Sequence, residues 1–293
     1  SAKDLARAGA KDLKSGAVTQ LARIGTRAGE LTLSAQGTIP GTVLNQFALD
    51  EYQGDLRVVT SVEGESRKGP WVQRAGLLVL DADLKVVGSI SSLVSGESVQ
   101  SVRFAGPVGY VVTFRQMDPL FAVDLTDGTK PRVLSALKIP GFSTYLHPWS
   151  EAELLGLGRN ATAKGEDLGL KLSMFNTADP VNVTESSVLK VSGDDAEALY
   201  DHRAVLVDVA DGLVGFAVSD WSSKNVKVSY QVFRYEEGKG FTRAARLSLV
   251  RESQGQPIRG LVIGDYLYVV SERSVSAYTT GTFARVVHLA VKG

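Results

Sequence analysis

An all-β propeller built from four-stranded blades is the fold this sequence predicts, and three observations predict it. From residue 18 to the end, short runs rich in Val, Leu, Ile, Phe and Tyr alternate with Gly, Asp, Asn and Pro, so strands and turns follow one another without an amphipathic helix. The runs fall into groups of four. Their second members begin near Asp55, Gly109, Glu153, Leu213 and Asp265, a recurrence of roughly 45 to 60 residues that suits blades with loops of unequal length. The cores of those strands, LRVVTSV, YVVTF, LLGLG, VGFAV and YLYVVS, are apolar on both faces, as strands sandwiched between neighbouring blades must be.

Taken in order, residues 1–14 read as a short helix, with Ser1 and Asp4 spaced as a capping box and Leu5, Gly9 and Leu13 on one face. Residues 1–17 are therefore assigned to a helical linker and residues 18–293 to the propeller. Strands 18–24 and 30–37 form a pair that fills only part of a blade, either beside the last blade or next to a gap. The first full blade is assigned to 45–49, 55–62, 76–80 and 85–90. The second is the clearest, with strands 101–106, 109–115, 120–125 and 132–138 divided by GP, QMDP and TDGTKP turns. Proline cannot donate to a ladder and Asp-Gly turns readily, so each break has its own chemistry. The third comprises 144–147, 153–158, 169–175 and 181–189; the fourth 202–207, 213–219, 226–235 and 241–249; the fifth 258–263, 265–271, 275–279 and 284–289. A β-sandwich would not require one four-strand unit five times over, and a parallel α/β fold would need helices between strands.

Composition narrows function by exclusion. The 32 basic and 32 acidic residues balance and are scattered, which leaves no electrostatic footprint for nucleic acid. The absence of cysteine removes disulfides, thiol catalysis and thiolate metal sites. No apolar run approaches the roughly 18 residues of a membrane-spanning helix. No signal-peptide pattern opens the chain, which starts at Ser1 without methionine, and a leader or anchor removed from upstream is compatible with that.

Several stretches carry a family resemblance: GTVLNQFALDEYQGDLRVVTSV (41–62), VRFAGPVGYVVTFRQMDPLFAVDLTD (102–127), IPGFSTYLHP (139–148), ALYDHRAVLV (198–207) and GLVIGDYLYVVSERSVSAY (260–278). In these the chain resembles the secreted β-propeller domain family of bacteria and archaea, over nearly all of its length after Val18. The DPLFAVDLTD unit is also similar, over a shorter span, to the LVIVD-type repeats of bacterial surface proteins. The resemblance implies an exported, often membrane-anchored propeller with no catalytic residues to carry over, placed in the cell envelope or secreted.

Propeller topology then selects candidate residues. Connections from a fourth strand to the next first strand, and from second to third strands, open on one face beside the central channel, where such folds place their sites. That face is expected to gather Arg115, Gln116, Asp118, Tyr145, His147, Asp201 and His202. Arg115 can bridge blades, Asp118 before a proline initiates a turn, and a buried Tyr or His finds a backbone partner, so the set reads first as a structural network and next as a ligand site. His147, Asp201 and His202 form a permissible metal set, but their spacing does not demand one. No cofactor and no metal is expected. Asp81, Asp83, Asp124 and Asp127 lack the full calcium series and read as turn formers. Trp71 and Trp221, on loops of the same face, are binding aromatics or lids, and no GxSxG, Walker or Rossmann fingerprint occurs. The sequence thus predicts a monomeric, non-catalytic binding or scaffold module whose partner is a protein, peptide or glycan at the cell envelope. The alternative is an exported hydrolase or lyase with an Asp/His site at the channel mouth.

Overall fold

A strand that is apolar on both faces can be buried only between two neighbouring sheets, and that requirement organises the molecule. The computed structural model describes residues 12–69, 71–114, 118–162, 164–221, 226–249 and 256–291. The chain opens with β1 (Leu13–Gly16) and the hairpin β2 (Val18–Arg27) and β3 (Glu30–Pro40). Blade one is β4 (Leu49–Tyr52), β5 (Asp55–Ser66), β6 (Trp71–Leu80) and β7 (Val86–Ser95), and blade two is β8 (Ser98–Ala105), β9 (Val108–Phe114), β10 (Asp118–Asp124) and β11 (Arg132–Ile139). Blade three is β12 (Phe142–Pro148), β13 (Glu153–Ala161), β14 (Asp167–Asn176) and β15 (Thr184–Val191). Blade four is β16 (Leu206–Asp208), β17 (Leu213–Asp220), β18 (Lys227–Glu236) and β19 (Gly240–Ser248), and blade five is β20 (Arg259–Ile263), β21 (Tyr266–Val270), β22 (Ser274–Thr279) and β23 (Arg285–Ala290). Each blade is an antiparallel sheet in sequence order, β1 joins β5 in the first, and β2–β3 stands as a two-stranded sheet, six sheets among the described residues.

Strand alternation assigns each side chain to one seam. On β6, Leu77 and Val79 pack toward blade two, while Leu78 and Leu80 pack toward the hairpin with Ile39. On β9, Val111 joins the seam with blade one and Tyr110 and Val112 the seam with blade three. Leu155 and Leu157 of β13 meet Val214, Phe216 and Val218 of β17, and Tyr230 and Val232 of β18 meet Leu267 and Val269 of β21. The core is thus a series of inter-sheet seams rather than one centre. At the seam between blades four and five the fit is tight enough that a Cβ on Gly260 would fall 1.9 Å from the Tyr230 hydroxyl, so only glycine lets that ring lie flat on β20.

Five blades and a partial N-terminal one are therefore as the sequence predicts, with three local differences. The helix expected over 1–14 is not present where the structure describes it. Leu13–Gly16 is a strand against β5, with Leu13 buried beside Val62 and Asp12 accepting from Arg74 Nη2 at 2.9 Å; residues 1–11 lie outside the described residues. Residues expected to open strands at 45–49 and 202–207 instead form 3-10 turns, Gln46–Ala48 and His202–Ala204, because Asn45 and Asp201 cap them by accepting from the backbone N–H of Phe47 and Arg203. Trp71 begins β6 rather than lying on a loop. No helix among the described residues is long and apolar enough to cross a membrane.

Seams of this kind make buried positions costly to truncate. Leu157→Ala, at a fully buried site, is expected to lower the unfolding free energy by about 2–5 kcal/mol. Val181→Ala, on an exposed turn, should stay within about 0.5 kcal/mol. Urea denaturation of both variants checks the contrast.

Candidate functional site

The inner elements of blades one to four converge on a cavity of about 530 Å³. Its wall is made by the capped turn Asn45–Phe47, Ser101 and Val102 of β8, Thr144–Leu146 on β12, and the 198–203 connection into blade four. Turn geometry explains the placement. A 3-10 turn just before an inner strand lifts two or three side chains above the sheet end, and both capped turns do so here, facing one another. Gln46 Nε2 and His202 Nε2 lie 3.0 Å apart across the mouth, and the Phe47 ring meets the His202 ring edge-on at 4.9 Å.

Arg103 underlies this pair. Its guanidinium lies 3.8 Å from the centre of the Phe47 ring and 5.5 Å from that of Tyr145, and its Nε donates to the Leu146 carbonyl at 2.7 Å. Burial pulls the Arg103 pKa below the usual arginine value, and among the described residues no carboxylate pairs with it. Two π faces and a carbonyl stabilise the charge instead. Tyr145 reaches the Nδ1 of His147 at 2.9 Å, and burial raises the tyrosine pKa. Burial first, and then the Arg103 charge, push the His147 pKa below the ordinary histidine value.

A second cluster holds the rim toward blade five. Asp201 accepts from Arg203 Nε at 2.9 Å and from Arg259 Nη2 at 2.9 Å, while Arg259 also donates to both carboxylate oxygens of Glu197 at 2.9 and 3.0 Å and to the Ile258 carbonyl at 3.0 Å. The Arg203 bonds lead the causes that draw the Asp201 carboxyl down to about 2. The same carboxylate caps the turn that carries His202, so the rim charge network and the mouth are one mechanical unit.

Of the predicted site residues, Tyr145, His147, Asp201 and His202 are brought around this mouth. His202 Nδ1 lies 3.9 Å from Asp201 Oδ1, and His147 is linked to this pair through Tyr145, Phe47 and Arg103. Asp118 starts β10 opposite Ile139, and Arg115 and Gln116 lie outside the described residues. Among the described residues no group of three or more His, Asp or Glu is placed to hold a metal ion. Asp81 and Asp127 accept from the backbone N–H of Asp83 and Thr129 at 3.0 Å, and Asp124 from that of Thr126 at 2.9 Å, which is turn chemistry. Gln46, Phe47, Arg103, Arg203, Glu197 and Arg259 were not singled out by sequence. The one usable signal was the Asn-Gln-Phe-Ala and Asp-His-Arg-Ala parallel, two Asx-capped turns at equivalent blade starts.

Comparison with known proteins agrees with this architecture. Residues 6–283 match the profile of the family described as "Beta propeller domain". An uncharacterized protein of Archaeoglobus fulgidus is 35% identical over 258 residues, covering 87% of this chain and 37% of its own length. An uncharacterized protein of Methanocaldococcus jannaschii is 34% identical over 241 residues, covering 80% of this chain and 35% of that protein. The chain thus spans about a third of the length of these relatives, which are archaeal rather than bacterial. Among solved structures, that of Sqt1 from Chaetomium thermophilum superposes with a TM-score of 0.58 at 11% identity, over 94% of this chain and 68% of that one, a likeness of fold alone.

Two titrations follow from the site. The depressed Asp201 carboxyl contributes stability that is fully present above its unfolded value of 3.8 and is lost as pH falls through about 2. Asp201→Asn should therefore cost about 1–3 kcal/mol near neutrality and progressively less as pH falls below 4, read by denaturation at pH 7 and 2.5. His147, whose pKa is depressed by burial, contributes stability that falls as pH drops below 6.5; its NMR titration midpoint should lie below that value.

Proposed function

This chain belongs to the beta propeller domain family, and from that premise we propose that it is a non-catalytic binding or scaffold module of the cell envelope, whose channel mouth takes an exposed protein or peptide segment. The observation that carries this proposal is that the acid–base groups at the mouth are each engaged by a partner within the ring. Asp201 is held by two arginines, His202 faces Gln46, and His147 bonds Tyr145. A general base must reach a substrate proton, and groups locked pairwise into the wall serve shape better than proton transfer. Around them stand accessible side chains suited to recognition. Tyr200 is 74% exposed and is steadied by its hydroxyl on Asp195 at 3.1 Å, and Gln46 and Arg203 are also open to solvent. Aromatic and arginine side chains of this sort dominate protein–protein contacts. Placement outside the cytoplasm is part of the same proposal and follows from the sequence resemblance.

The test is a peptide array of extracytoplasmic proteins probed with the wild type and with Tyr200→Ala. Binding at the mouth predicts a loss of about tenfold or more in affinity with the melting temperature unchanged, since the ring is exposed. Binding confined to a glycan array, or turnover of a hydrolase substrate panel, would refute the proposal. Protease accessibility in intact cells tests the location.

A further inference from the structure

The stack of sheets has two ends, and both are apolar. On blade five, Leu267, Val269 and Tyr278 bury one face against blade four, whereas Leu261, Ile263, Tyr266, Val287 and Leu289 lie on the other at 40–64% exposure. Registers place these in adjacent rows: Leu261 is opposite Tyr268, Tyr268 opposite Ala277 and Ala277 opposite Val287 across all four strands, with Ile263 opposite Tyr266 beside them. A contiguous apolar face of this kind is uncommon on a monomer. At the other end, the hairpin turns Leu21 and Ile39 toward blade one, and its opposite face carries Ile24, Leu31 and Leu33 at 57%, 74% and 59% exposure.

The hairpin is also two strands short. In blades two to five the sheet order follows the chain, and the last strand hands over to the first strand of the next blade. By that rule β3, which leads into blade one, is a fourth strand and β2 a third, so among the described residues the two inner places beside β2 are open. We propose that two further strands, supplied by polypeptide of the same chain beyond these 293 residues, add to the free edge of β2. They complete a sixth four-stranded blade and seat it against the exposed face of blade five. A single insertion then covers all three open features: the β2 edge, the outer face of the hairpin, and the Leu261–Val287 face. The occupant is assigned to the same polypeptide because the matched segment is only 37% and 35% of the two archaeal relatives, so family members carry ample chain to supply it. Antiparallel pairing along the ten residues of β2 is the same ladder that joins the other blades.

Hydrogen exchange of the complete gene product, compared with residues 1–293 alone, tests this. The β2 amides and those of β20–β23 should exchange at least about tenfold more slowly in the complete product. Leu261→Asp with Val287→Asp should remove that protection, while leaving the melting temperature of residues 1–293 unchanged. Equal exchange in the two proteins overturns the proposal, as does a gene product with no additional chain. So does light scattering that shows residues 1–293 to be a dimer dispersed by the Asp pair, since the occupant is then a second copy.

Discussion

A sheet with two apolar faces cannot be stable alone, and every other feature of this protein is arranged around that constraint. The middle strands of blades one to four contribute Leu, Val and Phe alternately to the seam on either side, so each of these blades is half of two cores. Burying a side chain of this size is worth about 1.5–3 kcal/mol, and it is realised only when the neighbouring blade is in place. Stability is therefore a property of adjacent pairs of blades, as in other repeat architectures. The outermost strands escape the demand: β19 and β23 alternate with exposed residues or are exposed throughout.

Apolar burial alone would leave the sheets free to slide, and polar groups set the register between them. Arg57 of blade one donates to the Gly106 carbonyl of blade two at 2.6 Å; Ser101 of blade two donates to the Ser143 carbonyl of blade three at 2.7 Å. Arg159 of blade three reaches Asp195 ahead of blade four at 2.8 Å, and Arg259 of blade five reaches Glu197 at 2.9 Å. Each bond runs from one blade to the backbone or connection of a neighbouring one, a directional contact that a hydrophobic seam lacks. Arg57 is 3% exposed at its side chain and is held by Asp50 as well as stacked on Tyr52 and Phe104, so its charge is matched where it is buried. The mouth is the same device turned to the channel, since Arg103 bridges blade two to blade three while supporting Phe47 and Tyr145.

What was legible in the sequence follows from which signals are local. Strand cores and turns are local, so the blade pattern could be read from runs such as YVVTF and from Asp-Gly and Pro breaks. The turns capped by Asn45 and Asp201 look like strand starts in the sequence, because a three-residue 3-10 turn flanked by Leu or Val resembles a strand edge unless the Asx cap is weighed first. Leu13–Gly16 is hidden in the sequence because Leu5, Gly9 and Leu13 have helical spacing, whereas the strand depends on pairing with Gly64–Ser66, some fifty residues away. Arg103 was invisible for a related reason. Its role depends on the distant Phe47, Tyr145 and Leu146, and nothing in VRF announces it.

The rim network links the open end of the stack to the mouth. Arg259 and Leu261 stand two residues apart on β20 and so on the same face of that strand, the face blade five leaves uncovered. Arg259 holds Asp201, Asp201 caps the turn of His202, and His202 faces Gln46 across the cavity. Any shift of β20 relative to blade four is thus transmitted through one ion pair and one cap to the residues that line the mouth. Bidentate pairing makes that path stiff, because Glu197 accepts from both Nη1 and Nη2 of Arg259 while Asp201 accepts from Nη2 as well. The geometry of the mouth is consequently set not only by blades one to four, which line it, but by how firmly blade five is held in place.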